Sequence, residues 1–324
     1  MPIVFIVASV VLQAGVFGFV SGRVDATASL ALSCAGFGAA AVVFNSVLAV
    51  RRRRRGAAGV AGPPRATGLL VLMNVVTAVT FLGFYASLSW VPSALATGIE
   101  TAIGPAALAL LALAGHGQRA SRKGWVAAAV LVLLGLGIGW SFTGGRGGED
   151  GGAGGGLAVS AGTVLGLALV VVAGVGAAVL ALISAELGRR GIDPVYVTAH
   201  RFHLTYLCGG ALLLATGGLD RRWVLGPPVL LLLGVLAVTI PLFLLQTGLQ
   251  RADPMVAMVL LTTLPGATYL AETVFHGGFD ATSLTLICCL IAVASWYASL
   301  SREQRGARGV RGRGRAATPE STRT

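Results

Sequence analysis

Charge is what this sequence has least of: 11% of its 324 residues are charged, while 55% are hydrophobic. A soluble domain of that length needs far more charge to cover its surface, so a water-soluble globule is excluded. Regular alternation of apolar and polar residues is also missing, which removes a transmembrane β-barrel. Lysine is nearly absent, with one against 23 arginines. Cysteine is sparse: Cys34, Cys208, Cys288 and Cys289 lie inside apolar blocks at spacings that suit no zinc site, and Cys288 and Cys289 point to different helix faces. They read as small buried hydrophobes. Neither a Ser–His–Asp constellation nor a metal-ligand set is visible, which leaves an intramembrane enzyme without its chemistry. No cofactor is expected. The run Gly144-Gly145-Arg146-Gly147-Gly148 has no Walker lysine and follows no strand, so it is not a nucleotide loop. The first apolar stretch has no basic region before it and reads as a retained span, 3–21.

The apolar residues come in blocks of bilayer-spanning length, roughly 20 residues each. They run over 3–21, 26–50, 67–89, 92–114, 124–142, 157–185, 195–217, 228–249, 254–276 and 280–300. Backbone exposed to lipid must satisfy its own hydrogen bonds, so each block is expected to be a helix. The fold class predicted is an all-α integral membrane protein of ten transmembrane helices. Residues 143–156 are mostly glycine and read as an extracytoplasmic linker between two five-helix units, 3–142 and 157–300. The polar tail 301–324 carries seven arginines and is expected to be disordered and cytoplasmic.

Ten spans with a cytoplasmic N-terminus place 19 basic residues on the inner side, including Arg51 to Arg55, and four on the outer side, Arg23, Arg146, Arg221 and Arg222. That bias predicts both termini in the cytoplasm of a cell with a multi-pass inner (plasma) membrane protein. The net charge of +12 is then a topology signal. Anionic lipid at the basic loops is a partner open to it, and nucleic acid is not. A small organic substrate and a second copy of the chain, as a homodimer, complete the partners considered.

The two units share features. Val24-Asp25-Ala26 resembles Ile192-Asp193-Pro194, each opening the second span of its unit. The stretch ending at Pro92 joins spans three and four with almost no loop, as the stretch ending at Pro254 joins spans eight and nine. Internal prolines follow both, Pro105 and Pro265. An odd number of spans per unit inverts the second copy relative to the first. Inverted repeats of this kind recur in secondary transporters, with substrate near the midplane.

At Phe84-Tyr85-Ala86-Ser87-Leu88-Ser89-Trp90-Val91-Pro92-Ser93-Ala94-Leu95-Ala96 the chain is similar to the junction between spans three and four of EamA-type members of the drug/metabolite transporter superfamily. Asp193-Pro194 through Arg201-Phe202 resembles the start of a repeat's second span in that family. The resemblance covers about residues 3–300. It implies a central cavity lined by spans 1, 3, 4, 6, 8 and 9, and transport of small organic molecules, commonly outward. The chain departs from the pattern in placing Glu100 five residues before Pro105 and in carrying Ser33 where the second unit has Arg201.

Several polar residues inside the spans are candidates for the site. Glu100 lies in the outer half of span four, where a carboxylate costs about 2.5–3.5 kcal/mol unless paired, hydrated or protonated. It reads as a proton-coupling or substrate-binding group, or as a protonated carboxyl bonded to a neighbouring helix. Glu272, near the outer end of span nine, is a second proton-coupling candidate against a reading as an interfacial carboxylate. Arg201 could hold an anionic group, snorkel to the surface, or pair with Glu186 or Asp193. Its neighbours His200 and His203 cannot share one face with it. Gln13, Asn74 and Gln246 could read polar groups of a substrate or bond helix to helix. Thr262 could add a hydroxyl near mid-span, and Tyr85 and Tyr269 a stacking surface if they face the cavity, against a reading as interfacial aromatics. Pro105 and Pro265 free backbone carbonyls, which line a site or permit a kink. The function expected is a secondary active exporter of a small organic metabolite, such as an amino acid, driven by proton antiport. A multidrug efflux transporter is the alternative within that class, and a nontransporting membrane scaffold or sensor lies outside it.

Overall fold

The computed structural model describes residues 2–20, 26–55, 66–87, 90–91, 93–115, 122–144, 161–218, 226–277, 281, 284–293 and 296. The predicted basic tail and all but the first residues of the predicted linker lie outside them. Among the described residues there is no strand. The helices are α1 (Pro2–Val20), α2 (Ala26–Arg55), α3 (Thr67–Ser87), α4 (Ser93–Leu113), α5 (Arg122–Gly144), α6 (Ala161–Arg189), α7 (Pro194–Arg201), α8 (His203–Ala215), α9 (Pro227–Gly234), α10 (Ile240–Leu249), α11 (Pro254–Leu261) and α12 (Leu264–His276). A π-helical segment, Val235–Thr239, joins α9 to α10.

Among the described residues seven helical stretches are long and apolar enough to cross a membrane: Pro2–Phe19, Leu30–Arg54, Thr67–Ser87, Ala96–Leu113, Ala161–Arg189, Leu231–Leu249 and Pro254–Phe275. Two further apolar stretches among the described residues, Gly124–Gly135 within α5 and Leu284–Val293, fall where the fifth and tenth spans are expected. The helix expected as the seventh span, 195–217, is interrupted at Phe202, which leaves α7 and α8 individually too short. Large apolar side chains such as Val11, Leu110, Leu133 and Leu214 are exposed on the outside of the bundle. Unpartnered apolar surface spread over so many helices is that of a protein embedded in lipid. The molecule is an all-α, multi-pass membrane protein.

Cysteine placement corrects one expectation. Cys34 and Cys208 are half-buried, and Cys288 and Cys289 are exposed. An apolar thiol on the outer face of Leu284–Val293 loses nothing when lipid rather than protein surrounds it.

Long-range packing sets α1 against α10 and α12, and α6 against α3 and α4. Helix α4 also packs on α5, α11 and α12, while α3 packs on α7 and α8. Helix α2 lies along α7, α8, α9 and the π segment. That last crossing is close because both helices present glycine. A methyl group on Gly36 would stand 2.8 Å from the Gly234 carbonyl oxygen, and one on Gly234 would stand 2.9 Å from the Gly36 nitrogen. Small residues let membrane helices approach until backbone meets backbone, where dispersion replaces the missing hydrophobic drive. Phe37 fills the space beside this crossing, its ring centroid 4.7 Å from that of Phe81 and 5.2 Å from that of Phe202.

The helix starts are explicit in the sequence. Asp193 caps α7, accepting from the Val195 N–H at 2.8 Å, with Pro194 at the first helical position. Asp253 caps α11 in the same way, accepting from Met255 at 2.9 Å, with Pro254 following. Proline supplies helical φ where its missing N–H costs nothing.

Candidate functional site

The interior polar residues fall into small groups, and the most buried one is centred on Arg201. This guanidinium is 2% exposed. Its Nε donates to Thr77 Oγ1 of α3 at 3.1 Å, and its Nη1 donates to Gln246 Oε1 of α10 at 3.0 Å. The same amide oxygen accepts from Ser184 Oγ of α6 at 3.3 Å. Four helices are thereby joined through one arginine and one carboxamide. Neither expected carboxylate reaches Arg201, which is a correction. Glu186 pairs with Arg189 and Arg190, the latter at 2.7 Å, and Asp193 pairs with Arg51 at 2.7 Å. Both acids lie at helix ends near other arginines, whereas Arg201 is a further two turns along α7. Its burial likewise rules out snorkelling to the surface.

The break after Arg201 has an identifiable cause. In a continuous helix the Leu204 N–H would donate to the His200 carbonyl. Instead the Asn74 side chain stands between them: the Leu204 N–H donates to Asn74 Oδ1 at 2.9 Å, and Asn74 Nδ2 donates to the His200 oxygen. The preceding carbonyl, Ala199, accepts from Asn45 Nδ2 of α2 at 3.0 Å. A side chain inserted in the backbone ladder is a recognised source of helix kinks. Asn74 thus holds helix to helix. Asn45, which the sequence reading passed over, does the same. His200 and His203 flank the break, His200 stacked on Tyr196 at 4.4 Å and His203 3.3 Å from the Tyr206 hydroxyl.

A second group joins α2, α3 and α4. Tyr85 shares a hydrogen bond with Ser33 and lies within electrostatic reach of Glu100. Glu100 is only partly covered. On its backbone side α4 approaches α6 so closely that a methyl group on Gly174 would meet the Glu100 carbonyl at 2.7 Å. A third group lies on α1: Gln13 Nε2 donates to Ser9 Oγ at 2.9 Å, and Ser9 Oγ donates to the Pro241 carbonyl at 2.8 Å.

The remaining candidates stand apart. Tyr269 is buried in an apolar cluster with Ala127, Leu131, Ile287 and Leu290. The Thr262 hydroxyl donates to its own helix at Val259 O, 2.6 Å away. Glu272 is half-buried on α12, where that helix meets Gly18 of α1. The two prolines behave differently. Pro105 lies inside an unbroken α4, whereas Pro265 follows the turn at Thr262–Thr263 that separates α11 from α12. There the Thr262 and Thr263 hydroxyls cap the freed carbonyls of Val259 and Leu260. Pro241, which the sequence reading did not weigh, explains the π segment. Its ring crowds the Ala237 carbonyl four residues earlier and has no N–H to offer it, so the turn opens.

Sequence reasoning missed Thr77 and Ser184, since single hydroxyls in apolar helices are common. One signal pointed to Thr77: it precedes Pro92 by fifteen residues, as Thr239 precedes Pro254. The two threonines occupy matching places but different roles, for Thr239 Oγ1 donates to the Gly36 carbonyl at 3.0 Å.

No family model matches the chain, and no curated protein matches it significantly. A solved crystal structure, described only as that of a protein, superposes with a TM-score of 0.69 at 18% identity, over 93% of this chain and 97% of that one. At that identity the likeness is one of fold alone.

Proposed function

We propose that the chain is a secondary active transporter of the EamA type, moving a small organic metabolite across the cell membrane by alternating access. In this reading α7–α8, α9–α10 and α11–α12 are the seventh, eighth and ninth of ten spans, and the two five-helix units are inverted copies. The helix pairings carry the reading. Helix α1 meets the eighth and ninth spans as α6 meets the third and fourth, and α2 meets the eighth as the seventh meets the third. The contacts of second with seventh and of fourth with ninth map onto themselves. Helix α6 also touches α10 and α11 without an equal contact of α1 on α3 and α4, but the pairings that survive exchange of the halves are what two rocking units around a shared interface need.

Export, proton antiport through Glu100 and cytoplasmic termini complete the proposal. They rest on the family resemblance, on a carboxylate within an apolar bundle, and on the 19-to-4 distribution of basic residues. The test is counterflow in proteoliposomes, using labelled amino acids and related metabolites with and without a pH gradient. Accelerated exchange of at least one compound is expected. No exchange of any candidate under either condition rejects transport. An untargeted comparison of metabolites released by cells with and without the protein then identifies the cargo.

A further inference from the structure

We infer that Arg201 and Gln246 form a subsite for the carboxylate of a small organic ligand. The inference deepens the transporter reading and rests on it for the ligand's role as cargo, but the binding itself is testable separately.

The argument begins with charge. A guanidinium withdrawn from water needs an anion or a dense set of acceptors. Arg201 is 2% exposed and has neither among the described residues: its hydrogen-bond partners there are one threonine hydroxyl and one amide oxygen, and the Phe202 ring, its centroid 5.4 Å from the guanidinium carbon, offers a face but no anion. The C-terminus of α7 and the N-terminus of α8 meet beside it, so their dipoles offset one another and the guanidinium charge stands. Removing one acidic partner from a buried pair is strongly destabilising. A chain that keeps such a charge without that partner has reason to receive one from outside.

Donor capacity points the same way. Arg201 has five N–H groups, of which the two bonds above use one each on Nε and Nη1. Gln246 is fully buried, its oxygen accepts from both Arg201 and Ser184, and its Nε2 has no partner. The amide oxygen therefore holds the arginine while the amide nitrogen on the same carbon remains to donate. The Thr205 hydroxyl, four residues beyond Arg201, is also buried without a partner. The unused Gln246 amide donor and the free guanidinium N–H groups beside a cation without an anion match a carboxylate, which has four lone-pair sites and one negative charge. A neutral amide or an amine supplies no charge.

The test uses the purified full chain in chloride-free buffer and reads thermal midpoint and Kd by titration calorimetry. Ligands are acetate, a panel of amino acids, the matching amino-acid amides, and sodium chloride. Carboxylates are expected to raise the midpoint and the amides to leave it unchanged. Arg201→Gln is expected to weaken carboxylate binding by about 10- to 100-fold, the loss of one charge-assisted contact. If that variant does not fold, Gln246→Glu places a carboxylate beside Arg201 within the chain. It is expected to fold and to abolish the ligand-dependent shift. No difference between carboxylates and amides, or an undiminished shift in Gln246→Glu, overturns the subsite. A chloride effect equal to that of the carboxylates reassigns it to an inorganic anion and also overturns it. Carboxylate binding without counterflow keeps the subsite and removes transport.

Discussion

Replacing Asn74 by leucine would take away both bonds that hold α7 and α8 apart, leaving the Leu204 N–H and the His200 carbonyl without their present partner. The expected loss is about 1–3 kcal/mol of stability, the cost of backbone groups left unmade on a helix that faces lipid rather than water. Chemical unfolding in detergent without ligand reads it, and an unchanged midpoint would return Asn74 to the candidates for substrate contact. Glu100 calls for a different readout. Glu100→Gln keeps the shape and removes the titratable proton, so proton-coupled flux should fall while the folded yield is retained; coupling that persists moves the role to Glu272 or a histidine. These residues show what one sequence conveys. A lone amide, acid or arginine in an apolar run is conspicuous. Its partner is not, because Thr77 lies 124 positions from Arg201 and Asn74 lies 126 from His200. Only packing brings them together.

The caps at α7 and α11 were legible because Asp-Pro at a helix start is a local signal whose chemistry stays within four residues. Asp253→Ala should cost about 1 kcal/mol in thermal unfolding, and Asp253→Asn less, since the amide oxygen still accepts from Met255. Asp193→Ala should lose the equivalent cap, whereas Arg51→Gln should cost well under about 1 kcal/mol, because that ion pair is exposed. Cap against ion pair is therefore separable at one helix start. Breaks inside spans were less legible. Pro265 announced one, but Phe202 carries no glycine or proline, and its break is imposed by asparagines from two other helices. The α2 crossing is tighter than composition conveys. Gly36→Val should lower the thermal midpoint of the purified protein, since Gly234 and Val238 already occupy the space.

For the whole molecule, the hydrophobic blocks alone reveal a helical membrane protein, because the bilayer fixes helix length and forbids unpaired backbone. They overstate how uniform the helices are. Among the described residues seven meet the length and hydropathy of a span, and the helix expected over 195–217 is interrupted where polar side chains enter. Orientation is a separate matter, carried by the arginines in the connecting segments. Reporter fusions or impermeant labelling at each terminus should place both on the cytoplasmic side, and opposite sides would require an odd number of crossings.

The π segment Val235–Thr239 bears on which length changes the chain can absorb. A π turn holds one residue more than the α turn it replaces, yet leaves the helix faces before and after it in register. Deleting one residue there should close the turn and keep Gln246 toward Arg201. Deleting one residue between Pro241 and Gln246 should rotate Gln246 by about 100° and tear it from Arg201. Two single-codon deletions a few positions apart should therefore differ sharply in folded yield, the first tolerated and the second not.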